Sequence, residues 1–263
     1  MKIIVCVKQV PGTNKVEVDP VTGVLKRDGV ESKTNPYDLF ALETAFSLAE
    51  ETNGSVCALS MGPPQAAEVL KEALWMGAEA GVLLSDRKLG GADVAATSEA
   101  LKLGIEKIGD YDLIICGKQT TDGDTAQVGA ELAEKLGIEH ISNVTEILSI
   151  DEKSITLVSD IDKAFATVKI ELPCLLTIEK DANTPRLPSY KRKKELDSEE
   201  LIKVYSVADL ENADENKLGL KGSPTQVERI FPPENNVEKE MLKGESDELA
   251  DKLYSKLSER KFI

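Results

Sequence analysis

Residues 112–137 read DLIICGKQTTDGDTAQVGAELAEKLG. Leu113, Ile114, Ile115 and Cys116 form a short apolar run of the kind buried in a parallel sheet. Gly117 ends it, and a loop rich in Thr, Asp and Gly follows. Asp124 or Thr125 is placed to cap the next helix, whose small and apolar face is Gly129, Leu132, Ala133 and Leu136. Gly137 stops that helix. A strand, a glycine-bearing loop and a helix start together make an anion pocket, because the first helical N–H groups are unpaired and the helix dipole favours negative charge there. Many such units are only tight turns, so the rest of the chain decides between the two.

Upstream, strand and helix patterns alternate. Lys2–Val7 reads as a buried strand broken by Gln9-Val10-Pro11-Gly12, and Val16 to Leu25 suggests a hairpin over the sheet edge. Asn35-Pro36 starts a helix, with Asn as the cap and Asp38 in the first turn; its stripe is Leu39, Leu42, Phe46 and Ala49. Ser55–Met61 is a second strand ended by Gly62-Pro63-Pro64, and Val69, Leu70, Ala73 and Leu74 mark the next helix. Ala80–Leu84 is a third strand, and Val94, Leu101, Ile105 and Ile108 lie on the helix that returns to Leu113. This order predicts an α/β fold, a doubly wound and mainly parallel sheet with right-handed crossovers. Ligands on such sheets sit outside the carboxyl ends of the strands, at a switch in strand order. If the first strand and the Leu113 strand are neighbours, the turn after Cys6, the Asn35-Pro36 cap and the Gly117–Thr125 loop converge on one crevice. Taken singly, Asn35 is an ordinary cap and Cys6 is sheet core.

Charge narrows the function. The chain of 263 residues carries 47 acidic against 32 basic side chains, a net −15, which argues against nucleic acid and against an anionic membrane surface. No apolar run has the length to span a bilayer, and the N-terminal run ends at Lys8, too soon for a signal peptide; a cytoplasmic protein is expected. Cys6, Cys57, Cys116 and Cys174 are far apart without a Cys-x-x-Cys spacing, so they are expected as buried thiols rather than metal ligands. His140, the single histidine, is expected at a strand edge in a structural role. No residue set suggests acid–base or nucleophilic catalysis, and neither a P-loop nor a Gly-x-Gly-x-x-Gly fingerprint follows a strand.

Downstream, Asn143–Ile150, Ser154–Ser159 and Phe165–Ile178 read as an antiparallel meander, since no helical pattern separates them. Thr184-Pro185-Arg186-Leu187-Pro188 breaks regular structure, and Lys191-Arg192-Lys193-Lys194 is the dense basic cluster, either a solvated face or part of a protruding docking loop. The remainder is polar, with apolar patches at Val204–Leu210 and Gln226–Phe231 and a last helix striped by Leu249, Leu253 and Leu257. The expected organisation is an α/β domain over 1–185 including the meander, a docking loop over 186–195, and an extended C-terminal arm over 196–263 that packs on a partner subunit.

The stretches IIVCVKQV, NPYDLFALETA, SMGPPQAAEVLKEALWMGAEAGVLL, LIICGKQTTDGDTAQVGAELAEKLG and LPCLLTI, with the Pro185-Arg186 step, resemble in order the β subunit of electron transfer flavoproteins. The resemblance implies a sheet of the adenine-nucleotide-binding type and a pairing with an FAD-bearing α subunit. Its nucleotide contacts carry over to Cys6, Asn35, Pro36, Tyr37, Asp38 and Met61, and to Gly117, Lys118, Gln119, Thr120, Thr121, Asp122, Gly123, Asp124, Thr125, Ala126, Gln127 and Val128. In ordinary members the ligand is AMP. In electron-bifurcating members it is a second FAD, which takes a hydride from NADH and sends electrons to ferredoxin or flavodoxin and, through the α-subunit FAD, to a dehydrogenase.

Ordinary members are similar to one another in a run of acidic residues followed by Cys-Asn-Gln-Thr. This chain has Asp122-Gly123-Asp124-Thr125-Ala126-Gln127-Val128-Gly129 instead, which resembles the bifurcating group. Gly123 permits close backbone approach and Ala126 leaves room for a diphosphate, with Thr125 and Gln127 as donors to it. Lys118 is placed to stabilise a reduced anionic flavin or is simply a surface lysine. Leu187 matches the family's partner anchor, in a shortened loop; the implied partner is a flavin-dependent dehydrogenase of acyl-CoA, enoyl-CoA or 2-hydroxy acid type.

Overall fold

The computed structural model describes residues 1–12, 32–228 and 240–263, so the hairpin expected at Val16–Leu25 and part of the Gln226–Phe231 patch lie outside the described residues. In chain order, β1 (Lys2–Cys6), β2 (Gln9–Pro11) and β3 (Ser32–Thr34) precede α1 (Pro36–Thr52). Then come β4 (Ser55–Met61), α2 (Ala67–Met76), β5 (Ala80–Leu84), α3 (Val94–Ile108), β6 (Leu113–Gly117) and α4 (Val128–Leu136). The second half holds β7 (Glu139–Ile150), β8 (Ser154–Asp160), β9 (Phe165–Glu171), β10 (Cys174–Ile178), α5 (Tyr190–Glu195), β11 (Ile202–Tyr205) and α6 (Ser246–Glu259).

The sheet order is β11-β5-β4-β1-β6-β10-β7-β8-β9, with every pairing from β11 to β7 parallel. β1 and β6 are therefore neighbours, Cys6 opposite Cys116. From β1 the chain winds outward through β4 and β5, then returns to lay β6 on the other side of β1. That reversal opens a crevice at the β1 and β6 carboxyl ends. Both faces are covered, as unbroken apolar strands require. On one face Leu42, Phe46, Leu70 and Leu74 of α1 and α2 pack against Ile3, Val5 and Ile115. On the other, Leu101, Ile105, Leu132 and Ala133 of α3 and α4 pack against Ile4, Leu59 and Ile114.

The structure departs from the sequence reading in four places. Gln9–Pro11 is not a plain break: it pairs antiparallel with Ser32–Thr34. The run Phe165–Ile178 divides at Leu172-Pro173. Its first half, β9, alternates outward and edges the β7–β8–β9 meander, whereas the second half, β10, is buried at every position and lies parallel between β6 and β7. The physical reason is composition, since Cys174-Leu175-Leu176-Thr177-Ile178 has no polar face to give to solvent. Cys116 and Cys174 are buried, but Cys6 and Cys57, near or at the strand ends, are half-buried. His140 lies exposed near the start of β7.

The fourth departure is the start of the arm. Residues from 196 do not all leave the domain: β11 adds to the sheet edge beside β5, and Val207, Leu210 and Leu218 are buried against α3 and its neighbours. The first compact unit runs Met1–Glu228, the second Arg229–Ile263. In the second unit, α6 carries Leu249, Leu253 and Leu257 on one stripe and buries none of its residues. Among the described residues no helix is long and apolar enough to cross a membrane.

Candidate functional site

The crevice is built on backbone. Cys6 ends β1, Met61 ends β4 and Gly117 ends β6, so all three stand on one crest of the sheet. α1 starts beside them, with Asn35 at its N-cap and Pro36 at its first position. A Cβ built on Gly117 would stand 2.4 Å from Asp38 Oδ1 and 2.7 Å from the Tyr37 carbonyl carbon. Only glycine allows β6 to pass this close to α1.

Between Gly117 and α4 the loop stays open longer than the capping pattern suggests. Neither Asp124 nor Thr125 caps the helix: α4 begins at Val128, behind Gln127, and its start has no side-chain cap. Asp124 and Ala126 adopt left-handed backbone (φ 51° and 54°), which the helix cannot include, and the Asp124 carboxylate accepts from Gln119 Nε2 at 2.9 Å instead. The first-turn amides thus face the loop without a protein side chain on them, the arrangement that favours an anion.

The loop's two carboxylates would repel such an anion, and both are engaged. Lys8 Nζ donates to Asp122 at 2.7 and 2.9 Å, while Gln119 holds Asp124. Burial, the largest single influence, would raise the Asp122 pKa, but the bond to and charge of Lys8, with bonds to Thr120 and to the backbone N–H of Asp122 itself, together bring it below the ordinary value. Residues 121–127 are exposed, with donors at Thr121, Thr125 and Gln127. Gly123 has an ordinary backbone, and a Cβ there would meet only Thr120 Oγ1 at 3.3 Å. Among the described residues no packing demands a glycine at this point, so its missing side chain leaves room for a group from outside. These features fit a nucleotide phosphate on the crest. Lys118 is neither free nor merely on the surface: its Nζ pairs with Glu179 at 2.5 Å.

Asn35 and Asp38 are placed differently from the other nominated residues. Their exposures are 0% and 4%. Asp38 Oδ2 accepts from the Lys8 N–H at 2.7 Å and Oδ1 from Asn35 Nδ2 at 2.8 Å. Burial pushes the Asp38 pKa up from 3.8 to about 7, against the pull of Asn35 and Lys8. The native state therefore holds this proton more tightly than the unfolded chain does. The group's stabilising contribution is full below the unfolded pKa near 3.8 and is lost as pH rises through about 7. Asp38→Asn should flatten the denaturation midpoint against pH across that window; equal slopes in variant and parent would refute this. The thiols nearby stay protonated: a bond to Cys6 and burial push Cys116 well up, and burial pushes Cys57 to about 11. Among the described residues no group of three His, Cys, Asp or Glu is placed to hold a metal ion.

A second feature lies away from the crest. Leu187 is 87% exposed, on a segment tied down on both sides. Asn183 Nδ2 donates to Phe40 O and Thr44 Oγ1, and the Ser189 N–H donates to Trp75 O, each at 2.9 Å. Arg186 is bidentate to Glu43 (2.8 and 3.0 Å) and also donates to Glu50 at 2.7 Å. Arg192 is not part of a solvated basic face; it donates to Leu74 O in the last turn of α2 and to Ala78 O just past the end of that helix. A cavity of about 530 Å³ opens between Leu187, Tyr190, Lys193 and the α2 residues Glu68, Glu72 and Trp75.

Comparison with known proteins shows the family. The family pattern described as electron transfer flavoprotein domain matches residues 22–204. The chain is 41% identical over 263 residues, the full length of both, to the electron transfer flavoprotein subunit beta of Thermoanaerobacterium thermosaccharolyticum. It is 42% identical over 265 aligned positions, again the full length of both, to the caffeyl-CoA reductase-Etf complex subunit CarD of Acetobacterium woodii. Protein FixA of Azorhizobium caulinodans is 39% identical, over 99% of this chain and 95% of that one.

Proposed function

This chain belongs to the β-subunit family of electron transfer flavoproteins, and from that premise we propose that it holds FAD on the β1–β6 crest, paired with an FAD-bearing α subunit. The observation that carries the reading is the convergence of the Gly117–Gln127 loop, the uncapped α4 start and the β1, β4 and β6 ends at the switch in strand order. In this reading the α4 amides and the Thr125 and Gln127 side chains hold the diphosphate, Lys8 offsets the charge of Asp122, and Gln119 fixes the position of the Asp124 carboxylate. Gly123 gives the ligand its close approach. A flavin held there would supply the redox chemistry: acceptance of a two-electron hydride from NADH, with one electron going to ferredoxin or flavodoxin and the other, through the α-subunit FAD, to a dehydrogenase.

Leu187 is the contact offered to that dehydrogenase. One relative's name joins an Etf to a caffeyl-CoA reductase, which favours an enoyl-CoA-type enzyme over an acyl-CoA or 2-hydroxy acid one. The α6 stripe of Leu249, Leu253 and Leu257 is proposed to lie on a partner subunit. The test is the adenine nucleotide released on denaturing the co-purified heterodimer. Two FAD are expected. One FAD and one AMP would replace the bifurcating reading with that of a carrier holding a structural nucleotide, and an empty crest would end both.

A further inference from the structure

We propose that Asn35 and Asp38 are positioning residues, which fix the 117–124 loop in the shape that receives the nucleotide without touching the nucleotide themselves. The inference rests on the nucleotide reading above and assigns roles within that site.

Both side chains are closed to solvent and have their hydrogen bonds inside the protein. Asn35 stands at the N-cap of α1, yet its side chain makes no capping bond. It reaches across to the loop instead. Nδ2 donates to Gln119 O at 2.8 Å, and Oδ1 accepts from the Thr121 N–H at 3.2 Å. The remaining Nδ2 hydrogen goes to Asp38 Oδ1 at 2.8 Å. One amide therefore clasps two backbone groups of the loop, and its orientation decides whether it can.

Asp38 sets that orientation. An ionised carboxylate only accepts, so Asn35 must turn a hydrogen toward it and present Oδ1 to Thr121. The other Asp38 oxygen is occupied by the Lys8 N–H. Asp38→Asn keeps the volume and inverts the logic. With the oxygen of the substituted amide claimed by the Lys8 N–H, its nitrogen would face Asn35 Nδ2, donor against donor. Asn35 would then flip and set its own Nδ2 against the Thr121 N–H. Protonating Asp38 acts in the same direction, since a neutral carboxyl is a weaker acceptor and carries a donor. Among the described residues the charged and titratable groups that act on Asp38 are Lys8, from the turn after β1, and Cys116, from β6; behind them stand Asp122, paired with Lys8, and Cys6, bonded to Cys116.

The experiment uses the purified heterodimer of wild type, N35A and D38N, with FAD and AMP each titrated as probes and hydrogen exchange followed at the Thr121 segment. Both variants should bind the nucleotide carried by the wild type at least about tenfold more weakly, and exchange at Thr121 should quicken by a similar factor. Wild-type affinity should fall as pH drops from about 8 to about 6, the reverse of the Asp38 effect on stability, while D38N shows no such component. A purely structural loss would lower the melting temperature and leave the pH profile alone. Wild-type affinity and exchange in both variants would overturn the proposal. If N35A does not fold, N35D keeps the volume and the acceptor but removes the donor, and is read in the same way. A wild-type heterodimer without nucleotide would remove the site reading, and Thr121 exchange alone would then judge the loop-fixing role.

Discussion

Gly117→Ala should lower the melting temperature by roughly 10 °C and leave the heterodimer without its crest nucleotide. The added Cβ would stand 2.4 Å from Asp38 Oδ1, 2.7 Å from the Tyr37 carbonyl carbon and 2.8 Å from Tyr37 Cβ. Tyr37 is held in the first turn of α1, so its backbone cannot rotate away, and either the end of β6 or the start of α1 must move. Overpacking of this kind costs about 1–3 kcal/mol. Displacing Asp38 from its N–H donors adds about 1–3 kcal/mol for a buried acceptor left unsatisfied. At roughly 2–4 °C per kcal/mol for a domain of this size, the sum gives the shift stated. Nucleotide is lost for a separate reason: the loop starts at Gly117, and a displaced start carries Gln119 and Thr121 off Asn35. Gly123→Ala is the control. Its Cβ would meet only Thr120 Oγ1 at 3.3 Å, so stability should stay within about 0.5 kcal/mol while nucleotide binding weakens. The measurements are thermal denaturation and nucleotide content of both variants. A Gly117→Ala protein that melts and binds like wild type would refute the close-approach account.

The fold was legible wherever local pattern and long-range pairing agree. The runs at Lys2–Val7, Ser55–Met61, Ala80–Leu84 and Leu113–Cys116 are too apolar to face water, and alternation with helices leaves them few other places than a parallel sheet. The crevice was legible only conditionally, since the adjacency of β1 and β6 is a pairing 110 residues apart, as the Lys2–Asp112 bond illustrates. The insertion of β10 was missed because strand order is not written locally. A signal existed: alternation stops at Pro173, and a run with no polar face follows. The start of α4 was missed for another reason, because Asp124 and Ala126 take left-handed backbone without being glycine. β11 was hidden in a charged segment; an edge strand needs only four residues and one partner, and Val207, Leu210 and Leu218 complete its burial at wide spacing. Asn35 carried the plainest helix-start signal in the chain, and its position was right. Its side chain serves the loop, a choice fixed by the carboxylate three residues on.

Arg186→Ala should weaken docking of the partner dehydrogenase by at least about tenfold and destabilise the chain by about 2–3 kcal/mol. Arg186 makes a fork to Glu43, whose side chain is only 12% exposed, donates to Glu50 and lies 5.0 Å from the centre of the Phe46 ring. Removing the guanidinium leaves the Glu43 carboxylate nearly buried without its cation, the case in which breaking an ion pair is costly; the partial exposure of Arg186 places the loss below that of a fully buried pair. Arg186 also holds the Pro185–Pro188 segment against α1, where its own N–H donates to Glu43 at 2.9 Å. With the side chain gone, Leu187 would be presented by a segment that must be ordered at the moment of docking, and that ordering weakens binding. Arg186→Lys should recover only part of both effects, because a point charge cannot reproduce the fork. Leu187→Ala separates presentation from contact: at 87% exposure its loss should leave the melting temperature within about 1 °C while docking weakens. Denaturation of the three variants, together with titration of each heterodimer against a flavin-dependent dehydrogenase that couples to the wild type, reads both quantities. If Arg186→Ala lowered stability while docking stayed at the wild-type level, Arg186 would be a structural brace alone, and if Leu187→Ala also docked like the wild type, Leu187 would not be the contact.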